Sequence, residues 1–358
     1  MHKLLVVFLT LPFLWSAVDA QQHSISDAEA LQAGHYIDSV TSSGSTAALI
    51  HFIDLDSLLG LVRQHLPDLN PELMRGFRKG FLETGGALGG QLASTAAMGS
   101  YRLLKEYDKD GTKHLLFRQF GKAGLNYHDY TLIKVQDSIK ASDVFAFTLG
   151  ENLSTMLATL SARMAGVDIA KLSETDRSLL KLTELKNQKE YAAAKQVYDQ
   201  LDRRVQESKA VQVIYIEICR HLGDSLYDQA LEHFAVAFPD APNAYLVMID
   251  LYYAEKDYEK SLAVVNKLDS LVGKDAFLDL YRGNFYKKMG KKDEALNCYQ
   301  RLYLSDPTLA INTRTLIITY AQANRYDDAK KVIGEYKQTS GFQETDLDKI
   351  YSAFPALK

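Results

Sequence analysis

The residues best suited to do chemistry lie in the sequence Asn-Tyr-His-Asp-Tyr at positions 126–130. Alternation along a strand places His128 and Tyr130 on one face and Asp129 on the other, so His128 and Asp129 do not form a dyad by adjacency. His114 lies on the preceding predicted strand, and two neighbouring imidazoles could bind a metal ion or shuttle a proton. His114, His128 and Tyr130 are therefore the candidate pocket residues of the N-terminal half.

No catalytic motif accompanies these histidines, because the chain has no His-Glu-x-x-His, nucleophile elbow or paired-carboxylate pattern. A histidine held by hydrogen bonds within its strand is the favoured interpretation. The glycine run Gly85–Gly90 lacks the Lys-Ser or Lys-Thr of a phosphate loop, and Asp108–Gly111 lacks the remaining oxygen ligands of a calcium loop. The sequence therefore predicts no cofactor, no metal site and no catalytic activity.

Composition narrows the classes of partner. The 358 residues carry 41 Lys and Arg against 45 Asp and Glu, a net charge of −4, and the charges are interspersed, which argues against binding to nucleic acid. Cys219 and Cys298 are the only cysteines, which excludes a disulfide framework and a cysteine-ligated cluster. We expect two isolated, buried thiols.

The first residues have the pattern of a secretory signal peptide. Met1–Lys3 is basic, Leu4–Trp15 is apolar, and small residues precede a cleavage site after Ala20. The pattern predicts export to the periplasm or the medium. No later stretch is long and uncharged enough to span a membrane after the signal is cleaved.

The N-terminal half changes from helical spacing to alternation. Helices are predicted at Asp27–Val40 and Asp54–His65, and residues 71–99 form a longer helical run. The predicted strands are Tyr101–Asp108, Lys113–Gln119, Leu125–Gln136 and Ile139–Thr148, followed by a helix at Glu151–Ala165. Asp110-Gly111 predicts a tight hairpin turn. This order resembles the cystatin-like and nuclear transport factor 2-like architectures, a resemblance of topology that implies a helix-wrapped sheet.

The C-terminal half contains one helical unit that recurs five times. A small residue marks each unit, with separations of 36, 31, 34 and 34 residues: Ala194, Ala230, Ser261, Ala295 and Ala329. A bulky residue follows four positions later in each unit: Tyr198, Phe234, Val265, Tyr299 and Ile333. The small side chain allows a neighbouring helix to approach closely, so each unit is predicted to be a helical hairpin whose core is completed by stacking. Pro242 and Pro307 are predicted to end second helices.

The fourth unit resembles the tetratricopeptide repeat (TPR) family. Gly283, Tyr286, Ala295, Tyr299 and Pro307 all stand at family positions. The departures are Lys292 in that unit, Ser261 and Val265 in the third, and the missing glycine in the other four. The resemblance covers about half of the mature chain. It implies a solenoid without chemistry of its own that holds a peptide or protein partner in a groove lined by the first helix of each hairpin.

The polar and aromatic groove residues that the resemblance implies are Tyr215, Asp250, Tyr253, Asn284, Lys287 and Arg314. Asn284, Lys287 and Arg314 could bind a carboxylate, because all three side chains donate hydrogen bonds. They match the carboxylate-clamp subset of the family only in part, since that subset spreads such residues over three successive units. A solvated polar face is the alternative interpretation.

The sequence as a whole predicts an α+β domain with a four-stranded antiparallel meander, followed by an all-α TPR-like solenoid. The predicted boundaries are a signal peptide over 1–20, the α+β domain over 21–166, a linker over 167–173 and the solenoid with a closing helix over 174–358. The function we predict is an exported, non-catalytic adaptor that binds another protein or peptide. The alternatives are a small-ligand or enzymatic pocket at His114, His128 and Tyr130, and self-assembly into a homo-oligomer through the groove.

Overall fold

The computed structural model describes residues 25–42, 47–66, 100–121, 124–148, 150–164, 174–238, 242–339 and 342–358, with a few positions between 72 and 79. The predicted signal peptide, the glycine run and the predicted linker lie outside these residues. Most of the helical run predicted over 71–99 also lies outside them.

The N-terminal part consists of helices followed by an antiparallel meander, as predicted. The helices are α1 (Asp27–Ser42), α2 (Ala47–Phe52) and α3 (Leu55–His65). The strands are β1 (Ser100–Lys109), β2 (Thr112–Gly121), β3 (Gly124–Val135), β4 (Ser138–Ala146) and β5 (Glu151–Asn152), and they pair in that order. Helix α4 (Leu153–Met164) follows. The sheet thus has five strands instead of four, because the chain returns along β4 for two residues before α4 begins.

A tight hairpin sets the register of β1 against β2. Asp110 and Gly111 have φ angles of 53° and 78°, the left-handed backbone that a two-residue hairpin turn requires, and Lys109 pairs with Thr112 across it. One face of the resulting sheet packs against α1. Ile37 of α1 and Leu115 and Phe117 of β2 are fully buried in that layer.

The C-terminal part is the predicted TPR-like solenoid of five helical hairpins. In each pair the first helix precedes the one that carries the small residue: α5 (Glu174–Asn187) with α6 (Tyr191–Asp199), α8 (Lys209–Arg220) with α9 (Asp224–Ala237), α10 (Pro242–Ala254) with α11 (Tyr258–Val272), α12 (Leu278–Lys288) with α13 (Lys292–Ser305), and α14 (Ala310–Gln322) with α15 (Tyr326–Tyr336). The short helix α7 (Arg203–Gln206) lies between the first two pairs, and α16 (Thr345–Ala353) with a final 3-10 turn (Pro355–Leu357) closes the end.

The repeated residues have the structural roles that their spacing predicts. All five small residues lie in second helices and are at most 4% exposed, and the bulky residues four positions later are also buried. Gly283 of α12 allows the closest approach, because a Cβ at this position would lie 2.8 Å from Cδ1 and Cζ of Tyr299. Four of the turns within hairpins contain a left-handed residue at the same place in the repeat, namely Lys189, Lys256, Gly290 and Asn324.

Pro242 has a different role from the predicted one. The second helix α9 already ends at Ala237, and Pro242 is the first residue of the next helix, α10. Proline suits this position because its fixed φ angle is helical and the missing N–H would have no partner in the first turn. Pro307 follows the end of α13 at Ser305, as predicted.

The second face of the sheet packs against the solenoid, so the two parts share one hydrophobic cluster. Leu116 and Tyr127 of the sheet belong to this cluster together with Phe277 and Leu278 at the start of α12. The rings of Phe120 and Phe277 lie 4.5 Å apart. This contact makes the sheet and the middle of the solenoid a continuous core.

A buried ion pair lies at the centre of this contact. Nη1 of Arg118 donates to Oδ1 of Asp275 at 2.8 Å, and the two side chains are 6% and 1% exposed. The hydroxyl of Tyr127 donates to the other oxygen of Asp275 at 3.1 Å, and the backbone N–H of Phe277 also donates to Oδ1. The Arg118 guanidinium lies 4.6 Å from the centre of the Phe277 ring. The charge of Asp275 is thus balanced and hydrogen-bonded, as a buried carboxylate requires.

Cys219 and Cys298 are buried free thiols, as predicted.

None of the helices in the described part of the chain combines the length and apolar character that crossing a bilayer requires.

Candidate functional site

The predicted pocket of three residues is divided between the two faces of the sheet. His114 pairs with Thr131 across the strands, whereas His128 pairs with Phe117. Since side chains alternate along a strand, His114 lies on the face toward the solenoid, while His128 and Tyr130 lie on the face toward α1. The two imidazoles therefore do not share a metal or proton-transfer site.

His128 belongs to a closed hydrogen-bond network in the core. The backbone N–H groups of Tyr127 and Thr148 donate to Oδ1 of Asn126, which leaves its Nδ2 to donate to Nε2 of His128 at 3.0 Å. Nδ1 of His128 lies 3.0 Å from the hydroxyl of Tyr101. Burial lowers the pKa of His128 to about 4, so the ring is neutral at pH 7 with both nitrogens satisfied.

Tyr130 takes part in the same network through the hydroxyl of Tyr101, at 2.7 Å. Burial raises the pKa of Tyr130 above its usual value, so this phenol also remains neutral. The network fixes the packing of the sheet on α1. The hydrogen bonds described for this network all join groups of the protein to one another.

His114, and not His128, forms a histidine–aspartate pair with Asp129. Its Nδ1 lies 2.9 Å from Oδ1 of Asp129, and the hydroxyl of Tyr107 donates to the other oxygen of Asp129. Burial raises the pKa of Tyr107, and the negative charge of Asp129 raises it further. Both oxygens of Asp129 are therefore engaged within the sheet.

A cleft in the N-terminal part lies away from these residues. It has a volume of about 760 Å³ and lies between α1, α2 and the turn from β3 to β4. Tyr36, His51 and Phe52 line it, and Tyr36 is 60% exposed. None of His114, His128 and Tyr130 lines this cleft.

Four of the six predicted groove residues lie together on two neighbouring first helices. Asp250 and Tyr253 lie on α10, and Asn284 and Lys287 lie on α12. All four side chains are exposed. The ring of Tyr253 lies 6.0 Å from that of Phe285 on α12, which places the two helices side by side. We call the surface formed by Asp250, Tyr253, Asn284 and Lys287 the first-helix groove.

The remaining two predicted residues make contacts elsewhere. Tyr215 of α8 stacks on Tyr198 at 3.7 Å and lines a cleft of about 600 Å³ together with residues of the second helix α9. Arg314 of α14 donates to Asp346 of the closing helix α16 at 2.5 Å, and the hydroxyl of Tyr336 donates to the same carboxylate. Arg314 therefore holds the end of the solenoid and is not free to complete a carboxylate clamp with Asn284 and Lys287.

Tyr281 is a groove neighbour that the sequence prediction missed. It lies on α12 three residues before Asn284, and this spacing places both side chains on one helix face. Burial and, to a smaller extent, the negative charge of Asp250 raise the pKa of Tyr281 to about 12. The helical spacing was the available signal, but only the structure shows that Asp250 of the preceding hairpin lies close enough to act on this phenol.

Comparisons with known proteins yield low similarity. No family model matches the chain, and no curated protein matches it. One similar solved structure is MamA of AMB-1, at 15% identity over 46% of this chain and 97% of that chain, with a TM-score of 0.37. PilW, described as a widely conserved type IV pilus biogenesis factor, shows 17% identity over 51% and 88%, with a TM-score of 0.38.

A thermophilic TPR protein of Thermus thermophilus shows 18% identity over 51% of this chain and 100% of that chain, with a TM-score of 0.34. All three likenesses cover about half of this chain. At these TM-scores they carry no argument about partner or activity.

Proposed function

We propose that this protein is an exported, non-catalytic adaptor that binds a peptide segment of a partner protein in its first-helix groove. The signal-peptide pattern over residues 1–20 supports export. The binding role is supported by exposed side chains on adjacent first helices. These side chains remain available for contact. Among the described residues, neither Asp250 nor Lys287 has an ion-pair partner, and Tyr253 lies beside them with 43% of its surface exposed.

The chemistry of the groove suits a peptide in extended conformation. Lys287 and the amide of Asn284 can donate to a carbonyl or carboxylate, although Oδ1 of Asn284 already accepts from the hydroxyl of Tyr299 at 2.9 Å. Tyr253 offers an aromatic surface with little side-chain entropy to lose on binding. A non-catalytic role is supported by the histidines of the sheet, whose described hydrogen bonds join them to Asp129, Tyr101 and Asn126.

Point variants test this function more sharply than truncation. Removing the solenoid would uncover Phe120 and Tyr127 of the shared core and unfold the sheet as well. We therefore compare capture of envelope proteins from the native host by wild type, Lys287→Glu and Tyr253→Ala. The matched control is Lys330→Glu, an exposed lysine on the second helix α15.

The proposal predicts that Lys287→Glu and Tyr253→Ala each reduce recovery of the partner about tenfold or more, as loss of a central contact does. Lys330→Glu should recover the partner as wild type does, by quantitative mass spectrometry. Equal recovery by all four proteins would show that the groove is not the binding surface.

A further inference from the structure

Asp250 differs from the buried acidic side chains in the middle of the solenoid. Asp269, Asp275 and Asp279 each contact an arginine at 2.8 Å, from Arg282, Arg118 and Arg301 respectively. Asp250 makes no hydrogen bond or ion pair with any described residue. Its carboxylate lies on the groove face of α10 and reaches solvent.

The surroundings of Asp250 leave its charge uncompensated. Partial desolvation raises the pKa of Asp250, and the positive charge of Arg220 opposes this rise without reaching ion-pair distance. The negative charge of Asp250 in turn acts on two phenols, since after burial it is the next cause that raises the pKa of both Tyr281 and Tyr227. A carboxylate whose pKa is raised on folding lowers the stability of the folded protein at neutral pH. A cation bound beside it would remove that penalty.

Three aromatic rings lie in series from α10, the helix that carries Asp250, to α12. Tyr253 follows Asp250 by three residues on the same face of α10. The ring of Tyr253 lies 6.0 Å from that of Phe285, and Phe285 lies 6.3 Å from Tyr281. Aromatic faces attract cations and also pack against the aliphatic stems of lysine and arginine.

We propose that Asp250, Tyr253 and Tyr281 form a binding site for a lysine or arginine side chain of the partner peptide. The carboxylate pairs with the ammonium or guanidinium group, and the two tyrosines contact its stem and charged end. Lys287 lies on α12, the first helix of the next hairpin, and repels a second cation. The groove therefore favours a basic residue at this one position. This inference rests on the proposed function, because it specifies the chemistry of a peptide bound in the first-helix groove.

The test is selection from a phage-displayed library of random linear peptides on the full-length mature protein. We compare wild type, Asp250→Asn and the charge reversal Asp250→Lys, with Glu259→Gln as the matched control, an exposed acid on the second helix α11. Asp250→Asn is nearly isosteric and breaks no described hydrogen bond, so it should fold. Because it removes an uncompensated charge, its urea midpoint at pH 7 should equal or exceed that of wild type.

Wild type and Glu259→Gln should enrich peptides with lysine or arginine at one fixed position. A selected peptide should bind Asp250→Asn roughly 10- to 100-fold more weakly, as expected for loss of a charge-assisted contact. Asp250→Lys should instead bind the same peptide better when its basic residue is replaced by glutamate. Such a change from a basic to an acidic peptide residue would show that the side chain at position 250 contacts that residue.

Two results would overturn the inference in distinguishable ways. If Tyr253→Ala and Lys287→Glu weaken the selected peptides while Asp250→Asn binds them as wild type does, the cation site is wrong and the groove function stands. If none of the groove variants alters binding, the cation site and the proposed function both fail.

Discussion

At the scale of single residues, the neighbours of a carboxylate decide whether it stabilises the fold or remains available to a ligand. Asp275 accepts hydrogen bonds from Arg118, Tyr127 and the backbone of Phe277, and it joins the sheet to the solenoid. Asp250 accepts none from any described residue. The same side-chain type therefore stabilises the fold in one place and, in the proposed site, binds a ligand in the other.

His128 provides a prediction about pH. Its pKa is lowered from the usual 6.5 to about 4 by burial, so the unfolded chain binds a proton at a higher pH than the folded protein does. Stability from this group is fully present above pH 6.5 and is lost as the pH falls toward 4, by about 3 kcal/mol in total. Urea unfolding at pH 7.5 and 4.5 should show that His128→Gln loses less stability between the two values than wild type.

The exposed His233 provides the control for this measurement. His233→Gln should lose as much stability on acidification as wild type. An equal loss in wild type and His128→Gln would contradict the assignment of His128 as a neutral, buried ring.

The groove residues show how far sequence reasoning reaches at this scale. Helical spacing was sufficient to place Asp250, Tyr253, Asn284 and Lys287 on the first helices. Helical spacing could not show that Arg314 is bound to Asp346. Asp346 lies on the closing helix, far from Arg314 in the sequence. Alternation separated His128 from Asp129 correctly, but the cross-strand register decided that His114 is the partner of Asp129.

At the scale of elements, the helical hairpin is the unit that builds the groove. Each small residue of a second helix lies in the core, and the first helices α10 and α12 are in contact through Tyr253 and Phe285. Gly283 shows how tightly one hairpin packs, since it faces the ring of Tyr299. Tyr299 in turn donates its hydroxyl to Asn284 of the groove, so core packing and the groove surface are connected through one side chain.

Gly283 and Gly334 are a matched pair of glycines within helices. A Cβ at Gly283 would clash with the Tyr299 ring, whereas nothing lies within 4 Å of a Cβ at Gly334. We expect Gly283→Ala to lower the free energy of unfolding by about 1–3 kcal/mol through overpacking. Gly334→Ala should raise it by up to about 1 kcal/mol, because alanine favours a helix more than glycine does. Urea unfolding measures both, and destabilisation by the two variants alike would contradict the packing described here.

The sequence predicted most elements because their signals are local. Periodicity, the Asp110-Gly111 turn and the repeat spacing depend on residues close together in the chain. The exceptions depended on neighbours in space or on the exact end of a helix. Strand β5 exists because Glu151 and Asn152 meet the end of β4, and Pro242 begins α10 because α9 had already ended.

At the scale of the whole molecule, the sheet and the solenoid are joined by a buried contact. Arg118 and Asp275 are separated by 157 positions in the chain, and no local pattern could have paired them. This contact lies at the start of α12, whereas Asn284 and Lys287 lie toward the end of that helix. The sheet thus supports the first helices and leaves the described groove residues exposed.

Hydrogen–deuterium exchange of the protein with and without its captured partner tests whether a partner occupies the first-helix groove. We expect added protection in the second halves of α10 and α12, around Asp250–Tyr253 and Asn284–Lys287. Helix α1 and the turn from β3 to β4 should exchange as in the free protein. Protection at the cleft beside Tyr36 and His51, with α10 and α12 unchanged, would rule out binding in the groove and locate it in the N-terminal part.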